Sequence, residues 1–421
     1  MLIANLLSRQ LWTGPEGTWW YDDAFTWITA VVVLGWVTWF VVTRYLREKG
    51  LRRPKRRTNT RLLKRTARIK REFSSRYLRP GFSGNIHAVG LGRLNVGGGL
   101  CIQVFINDPN QELWMGAGAG ALPDNYRGVP LVLMQMPRAG FLSEEVSDAT
   151  WASYSRGMRE PQEVIVGGIS GANTNLTGES GTIGYFCTRK STLPRRKAIH
   201  LLSNSHVFAD LRRAKVDESD LIMQPSPGER ASNRPIGTLV DYSALNFAAD
   251  LDQPNHIDAA IAKLWAPQQH QPLIPLIGAV KGMVETKDTE IGEPVRKFGR
   301  TTGYTEGRLF SIYLDIWIRY DRTGQSAFFQ DQYLVKPAAP RFIKFVSGGD
   351  SGSLLIDAEQ HVIGLLFAGL SKLPESTQSA PEPAVVEKNS RGLDPLERID
   401  GYGVANPIRE VLDGLKIDLL V

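Results

Sequence analysis

Residues 24–43 read AFTWITAVVVLGWVTWFVVT and contain no charged side chain. Twenty such residues in a helix span about 30 Å, the thickness of a bilayer's hydrocarbon core. Trp19, Trp20 and Tyr21 stand at one end of the run, and Trp39 and Tyr45 at the other. Rings with an apolar body and a polar tip favour the membrane interface. A secretory signal would want a basic lead, a shorter apolar stretch and a small-residue cleavage site, and none is evident. A helix buried in a soluble core would carry a polar stripe. The run therefore predicts one N-terminal transmembrane helix, preceded by a short extracytoplasmic segment, 1–23.

The net charge of +7 is distributed to match. Residues 44–80 hold 16 Lys or Arg against Glu48 and Glu72, so they alone carry +14, and the rest of the chain is net acidic. Basic residues beside a span are retained on the cytoplasmic side. The expected topology is a single-pass protein of the inner or plasma membrane, with its N-terminus outside and 44–421 in the cytoplasm. The basic stretch reads as a juxtamembrane linker able to meet anionic lipid headgroups. Nucleic acid is the weaker partner, because no recognition motif accompanies the charge. Cys101 and Cys187 are too few for a disulfide scaffold and suit a reducing compartment.

After residue 80 the texture changes to short apolar runs punctuated by glycine, proline and aspartate. Runs at 101–107, 129–136, 182–187, 199–203, 236–241, 258–265, 295–298, 308–320, 328–335, 353–356 and 362–367 read as strands. Many short strands at this spacing predict a mainly β fold, a barrel or sandwich. Helical periodicity is convincing only at 406–415, where Ile408, Val411, Leu412 and Leu415 share a face and Pro407 suits the first turn. Residues 371–400, rich in Pro, Ser, Glu and Lys, read as a flexible excursion. The glycines near Gly90, Gly92 and 97–99 lack the spacing of a phosphate loop and read as tight turns.

One tripeptide carries chemistry: Gly349, Asp350, Ser351, within VSGGDSGSLLID. A serine hydroxyl is a poor nucleophile until a base takes its proton, and attack on a carbonyl needs donors aimed at the developing oxyanion. A glycine two positions before the serine lets the backbone turn two N–H groups into one hole. Of six histidines, His206 in LLSNSHVFAD follows an apolar strand, where a base would stand. Asp258 in NHIDAAIAKL opens another apolar strand, and a carboxylate there needs a partner. A histidine N–H is a natural one.

SNSHVFA, DAAIA and GGDSGSLL, in that order, resemble the signature segments of chymotrypsin-like (trypsin-fold) serine peptidases. The chain is most similar to the bacterial and plant trypsin-like peptidases of the NARROW LEAF type. With these it shares a lead-in like HAVGLGRLNVGGGLCIQVFI, a segment like VRKFGRTTGYTEG at 295–307, and a close like GYGVANPIREVLDGLKIDLLV. The resemblance covers about 85–421. It implies a double six-stranded β-barrel with a C-terminal helix, a peptidase domain over 166–421, and a small α/β or β subdomain over 81–165. It implies His206 as general base, Asp258 as its orienter and Ser351 as nucleophile, with the N–H groups of Gly349 and Ser351 as oxyanion hole. Phe367, Ala368 and Gly369 would pair with the substrate backbone, and Phe345 would lie at the base of the specificity pocket. With no acid there, an apolar or small P1 residue is expected.

The resemblance implies neither cofactor nor metal. A protein or peptide is the expected substrate, and self-association into a homo-oligomer is open. Two features depart from secreted relatives: Val207, not cysteine, follows His206, and Asp350 has no freed N-terminus to pair with. The competing reading is a catalytically silent trypsin-fold scaffold at the membrane.

Overall fold

The computed structural model describes residues 60–78, 84–95, 98–107, 123–136 and, within 157–421, all but 177, 191–197, 212–219, 230, 249–251, 267, 321–322 and 371–400. The expected span at 24–43, the segment before it and the excursion at 371–400 lie outside the described residues. Among the described residues no helix is long and apolar enough to cross a membrane.

Two sheets carry the fold. The larger has ten strands, in the order Pro294–Gly299, Leu354–Ile356, Val362–Leu370, Tyr402–Pro407, Gln325–Pro337, Gly303–Tyr320, Ile86–Arg93, Leu100–Ile106, Val129–Gln135 and Asn125–Tyr126. Its first six strands close on themselves, because Pro294–Gly299 pairs with Gly303–Tyr320 as well as with Leu354–Ile356. The smaller sheet has seven strands, in the order Ile417–Leu419, Tyr185–Arg189, His200–Ser203, Ala260–Leu264, Arg234–Tyr242, Leu221–Gln224 and Ala172–Asn173. No pairing joins its edges among the described residues. The expectation of two closed barrels is thus corrected to one closed ring of six strands and one open sheet.

Each expected run holds a strand, but Ile86–Arg93, Leu221–Gln224 and Tyr402–Pro407 are strands outside those runs, and Gly90 and Gly92, read as tight turns, lie within Ile86–Arg93. Val362–Leu370, VIGLLFAGL, is buried at every position, as an uninterrupted apolar run demands. One core cluster joins Phe186, Leu202 and Ile261 of the open sheet to Leu354, Ile356, Val362 and Leu365 of the ring. The two sheets therefore share a core, and each such side chain contributes about 1.5–3 kcal/mol by leaving water. The helix Ile408–Gly414 follows Pro407 and buries Ile408, Val411 and Leu412.

Two segments differ from their sequence reading. The strand Ile86–Arg93 pairs with Gly303–Tyr320 and with Leu100–Ile106, so strands within 81–165 extend the ring's own sheet. The expected linker over 44–80 contains a helix, Thr60–Tyr77. Leu63, Thr66, Lys70, Phe73 and Ser74 form its buried face, while Arg61, Lys64, Arg65, Arg68, Arg71 and Arg76 point outward. Phe73 meets the Tyr126 ring edge-on, with centroids 5.3 Å apart. Lys70 is fully buried and places its Nζ 2.7 Å from the Asp315 carboxylate, itself without exposure. A buried charge is tolerable only when paired.

Lys70→Met should therefore destabilise the protein by about 3 kcal/mol, because it strands the Asp315 charge. Adding Asp315→Leu should recover most of that loss. Urea denaturation of the two variants measures both, and equal losses would mean the ion pair is not the cause.

Candidate functional site

His206 lies in a single helical turn, Ser205–Phe208, directly after the strand His200–Ser203. The turn is tied to the chain around Asp258. Asn204 Nδ2 donates to the Asp258 carbonyl at 2.7 Å, and the Ser205 hydroxyl lies 2.8 Å from the carbonyls of Ser243 and Ala259. His206 Nδ1 stands 2.6 Å from Asp258 Oδ2. The backbone N–H of His206 donates to Asp258 Oδ1 at 3.2 Å. An ionised carboxylate only accepts, so this contact assigns the ring proton to Nδ1 and leaves Nε2 as the basic nitrogen. Asp258 is completely buried, and its own N–H donates to Asn406 Oδ1 at 3.0 Å.

Ser351 sits in a turn that requires glycine on both sides. Gly349 and Gly352 have φ of 90° and 99°, a region that side chains with a Cβ avoid. A Cβ would also collide with the Arg300 guanidinium at the first position and the Thr182 carbonyl at the second. Thr182, in a short two-stranded sheet with Ile169–Ser170, docks this loop. Its N–H donates to the Ser351 carbonyl and its hydroxyl to the Gly349 carbonyl, both at 2.8 Å. The Thr182 carbonyl in turn accepts from Ser203 Oγ at 2.7 Å, three residues before His206. Thr182 thus brings the Ser351 loop and the His206 turn together where the two sheets meet. Ser351 Oγ points at the Phe367 carbonyl, 3.3 Å away. Among the described residues no hydrogen bond engages the N–H of Gly349 or Ser351, whereas the Asp350 N–H between them turns back to Ser347.

Asp350 has an internal partner. Its carboxylate lies 3.1 Å from Lys297 Nζ, and neither side chain is exposed. It also accepts from the N–H groups of Ser347, Thr301 and Thr302 at 3.0, 3.0 and 3.1 Å, and from the Thr302 hydroxyl at 2.7 Å. The GRTTG segment is therefore the cradle of the Asp350 carboxylate. Arg300 is buried beside it and pairs with Glu229, Nε to Oε1 at 2.7 Å. No freed N-terminus is needed to hold this loop.

The substrate-facing expectations separate. Phe345 is fully buried under Gly307 and Gly403 inside the ring, with Lys297 Nζ 5.9 Å from its ring centroid. Ala368 and Gly369 pair with Val404 and Gly403 on one side. Their other edge lies on the Ser351 side, where Leu366 still exchanges backbone bonds with Gly352 and Ser353. The Phe367 ring packs on Phe329, centroids 4.7 Å apart.

Two site residues escaped the sequence reading. Lys297 carried a signal, since alternation along Pro294–Gly299 buries it with Val295 and Gly299. Tyr320, whose hydroxyl lies 2.7 Å from Asp258 Oδ2, carried none, as an aromatic at a strand end is ordinary.

No family model and no curated protein matches the sequence. Solved structures with similarity include Thermobifida fusca Protease A, at 16% identity over 61% of this chain and 99% of that one, TM-score 0.36. Nocardiopsis protease aligns at 14% identity over 61% and 99%, TM-score 0.37. A glutamic-acid-specific serine protease aligns at 13% identity over 61% and 100%, TM-score 0.35.

Burial pushes the Lys297 ammonium below its ordinary 10.5, and the Asp350 charge opposes this less strongly. Below the folded value the cost of burying the charge is present in full, and it is relieved as pH rises toward 10.5. Over the same window the pair holding the Ser351 loop is lost. Hydrogen exchange at the bonded loop amides of Asp350, Gly352 and Ser353 should accelerate, as pH approaches 10.5 from below, beyond the base-catalysed trend. Protection following that trend up to 10.5 would contradict this.

Proposed function

We propose that this chain is a serine endopeptidase of the chymotrypsin-like kind, nearest in its ordered motifs to the NARROW LEAF type. The observation that supports it most is the His206–Asp258 pair, 2.6 Å between Nδ1 and Oδ2, set beside a glycine-flanked serine loop by the bonds of Thr182. In this reading His206 Nε2 takes the Ser351 proton as Oγ attacks the scissile carbonyl. Asp258 holds the imidazole tautomer and stabilises the imidazolium. The N–H groups of Gly349 and Ser351 receive the oxyanion, a contact made in full only as charge develops. His206 then gives its proton to the leaving amine, and water repeats the sequence on the acyl-enzyme. In this reading the edge of Ala368 and Gly369 on the Ser351 side takes an extended peptide as an added strand. With Phe345 closing the floor and no acid there, apolar or small P1 residues fit.

A fluorophosphonate probe should label the wild-type chain, and Ser351→Ala should abolish labelling. His206→Ala should slow it by about 10³-fold or more. A wild-type chain that resists the probe, with the fold intact by circular dichroism, would leave a silent binding module as the better reading.

We also propose that residues 24–43 anchor the enzyme in the inner or plasma membrane, with the peptidase in the cytoplasm and the basic stretch beside anionic headgroups. The support is the charge-free run and the +14 that follows it. A tether confines cleavage to proteins at or near the membrane, which suits regulatory processing. The chain should stay in the membrane fraction through alkaline carbonate and leave it when 1–43 is deleted. Reporter fusions at both termini read the orientation, and a C-terminus found outside would overturn it.

A further inference from the structure

The Asp258 carboxylate takes two bonds from His206 itself, Nδ1–H on Oδ2 and the backbone N–H on Oδ1. Both come from one residue in one helical turn, so alone they would let carboxylate and imidazole drift together. The third bond comes from elsewhere. Tyr320 Oη lies 2.7 Å from Oδ2, at the last position of the long strand Gly303–Tyr320, which belongs to the ring and not to the sheet that carries His206.

The phenol is held from several directions. The Tyr320 carbonyl accepts from the N–H and hydroxyl of Thr323, both at 3.1 Å. Its ring meets Phe247 edge-on at 5.4 Å, stacks on Phe329 at 6.4 Å, and stands edge-on to the His206 imidazole at 6.0 Å. Phe329 continues the wall to Phe367, whose carbonyl faces Ser351 Oγ. Burial and the Asp258 charge push the Tyr320 phenol well above its ordinary range, so it keeps its proton and donates it to the carboxylate. A charge-assisted O–H···O⁻ bond of this length is among the stronger ones a protein makes.

We propose that Tyr320 is a positioning residue for the triad: its O–H, delivered from the opposite sheet, sets the plane of the Asp258 carboxylate and its ring backs the His206 imidazole. The inference rests on the peptidase reading above. Tyr320 touches neither substrate nor the reacting atoms, and it acts through Asp258.

The test uses the full chain and the fluorophosphonate probe. Tyr320→Phe keeps the ring and removes only the hydroxyl. Its maximal inactivation rate should fall about 10-fold, while the probe concentration for half-maximal rate stays at the wild-type value. The downfield proton resonance of His206 Nδ1–H should move from its wild-type position, which a purely packing role would not cause. Should Tyr320→Phe fail to fold, fluorotyrosines of graded acidity placed at 320 keep the ring in place. The rate and the resonance should then follow phenol acidity step by step. A labelled wild type whose rate and resonance ignore both substitutions overturns the role of Tyr320 alone. A wild type that the probe does not label overturns the peptidase reading and this inference with it.

Discussion

A fully buried carboxylate, Asp258, is the point on which the molecule turns. An unpaired charge in that setting would cost several kcal/mol, so its partners must arrive for the fold to close. They come from two directions, His206 from the turn after the open sheet's strand and Tyr320 from the ring's longest strand, while the Asp258 N–H is fixed by Asn406, on the strand leading into the C-terminal helix. Asn406 is in turn held by Gln332, Nδ2 to Oε1 at 2.7 Å. Satisfying one anion thus draws both sheets to the same place, and the basic nitrogen of His206 is aimed as a consequence.

The same economy recurs at two other interior charges. Lys297 and Asp350 neutralise each other under the serine loop, which holds that loop in the left-handed turns that Gly349 and Gly352 permit. Lys70 and Asp315 join the helix Thr60–Tyr77 to the strand that ends at Tyr320. Each pair joins segments far apart in the chain. Each is costly if one partner is missing, so each makes a distant docking event close to all-or-none.

Much of the strand content was legible in advance, because period-two alternation and uninterrupted apolar runs are local properties. Val362–Leu370 and the helix Ile408–Gly414 lie close to where their patterns placed them. The helix Thr60–Tyr77 was not legible, and the reason is physical. Its inward stripe includes Thr66, Lys70 and Ser74, which look solvent-facing until a sheet supplies Asp315. The closure of one sheet and not the other was equally hidden, since it depends on which edges meet and not on what any strand contains.

At the site the division is similar. The residues alone pointed to His206, Asp258 and Ser351, because a base at a strand end, a carboxylate against apolar neighbours and a serine between glycines each carry a local mark. They determined a mainly β chain with a charge-free run and a basic collar at its head. Tertiary structure decided which groups satisfy the buried charges: Lys297 for Asp350, Tyr320 for Asp258, Lys70 for Asp315. Periodicity and turn chemistry are set by neighbours along the chain, whereas the free energy of a buried ion is set by whatever the fold brings within about 3 Å of it.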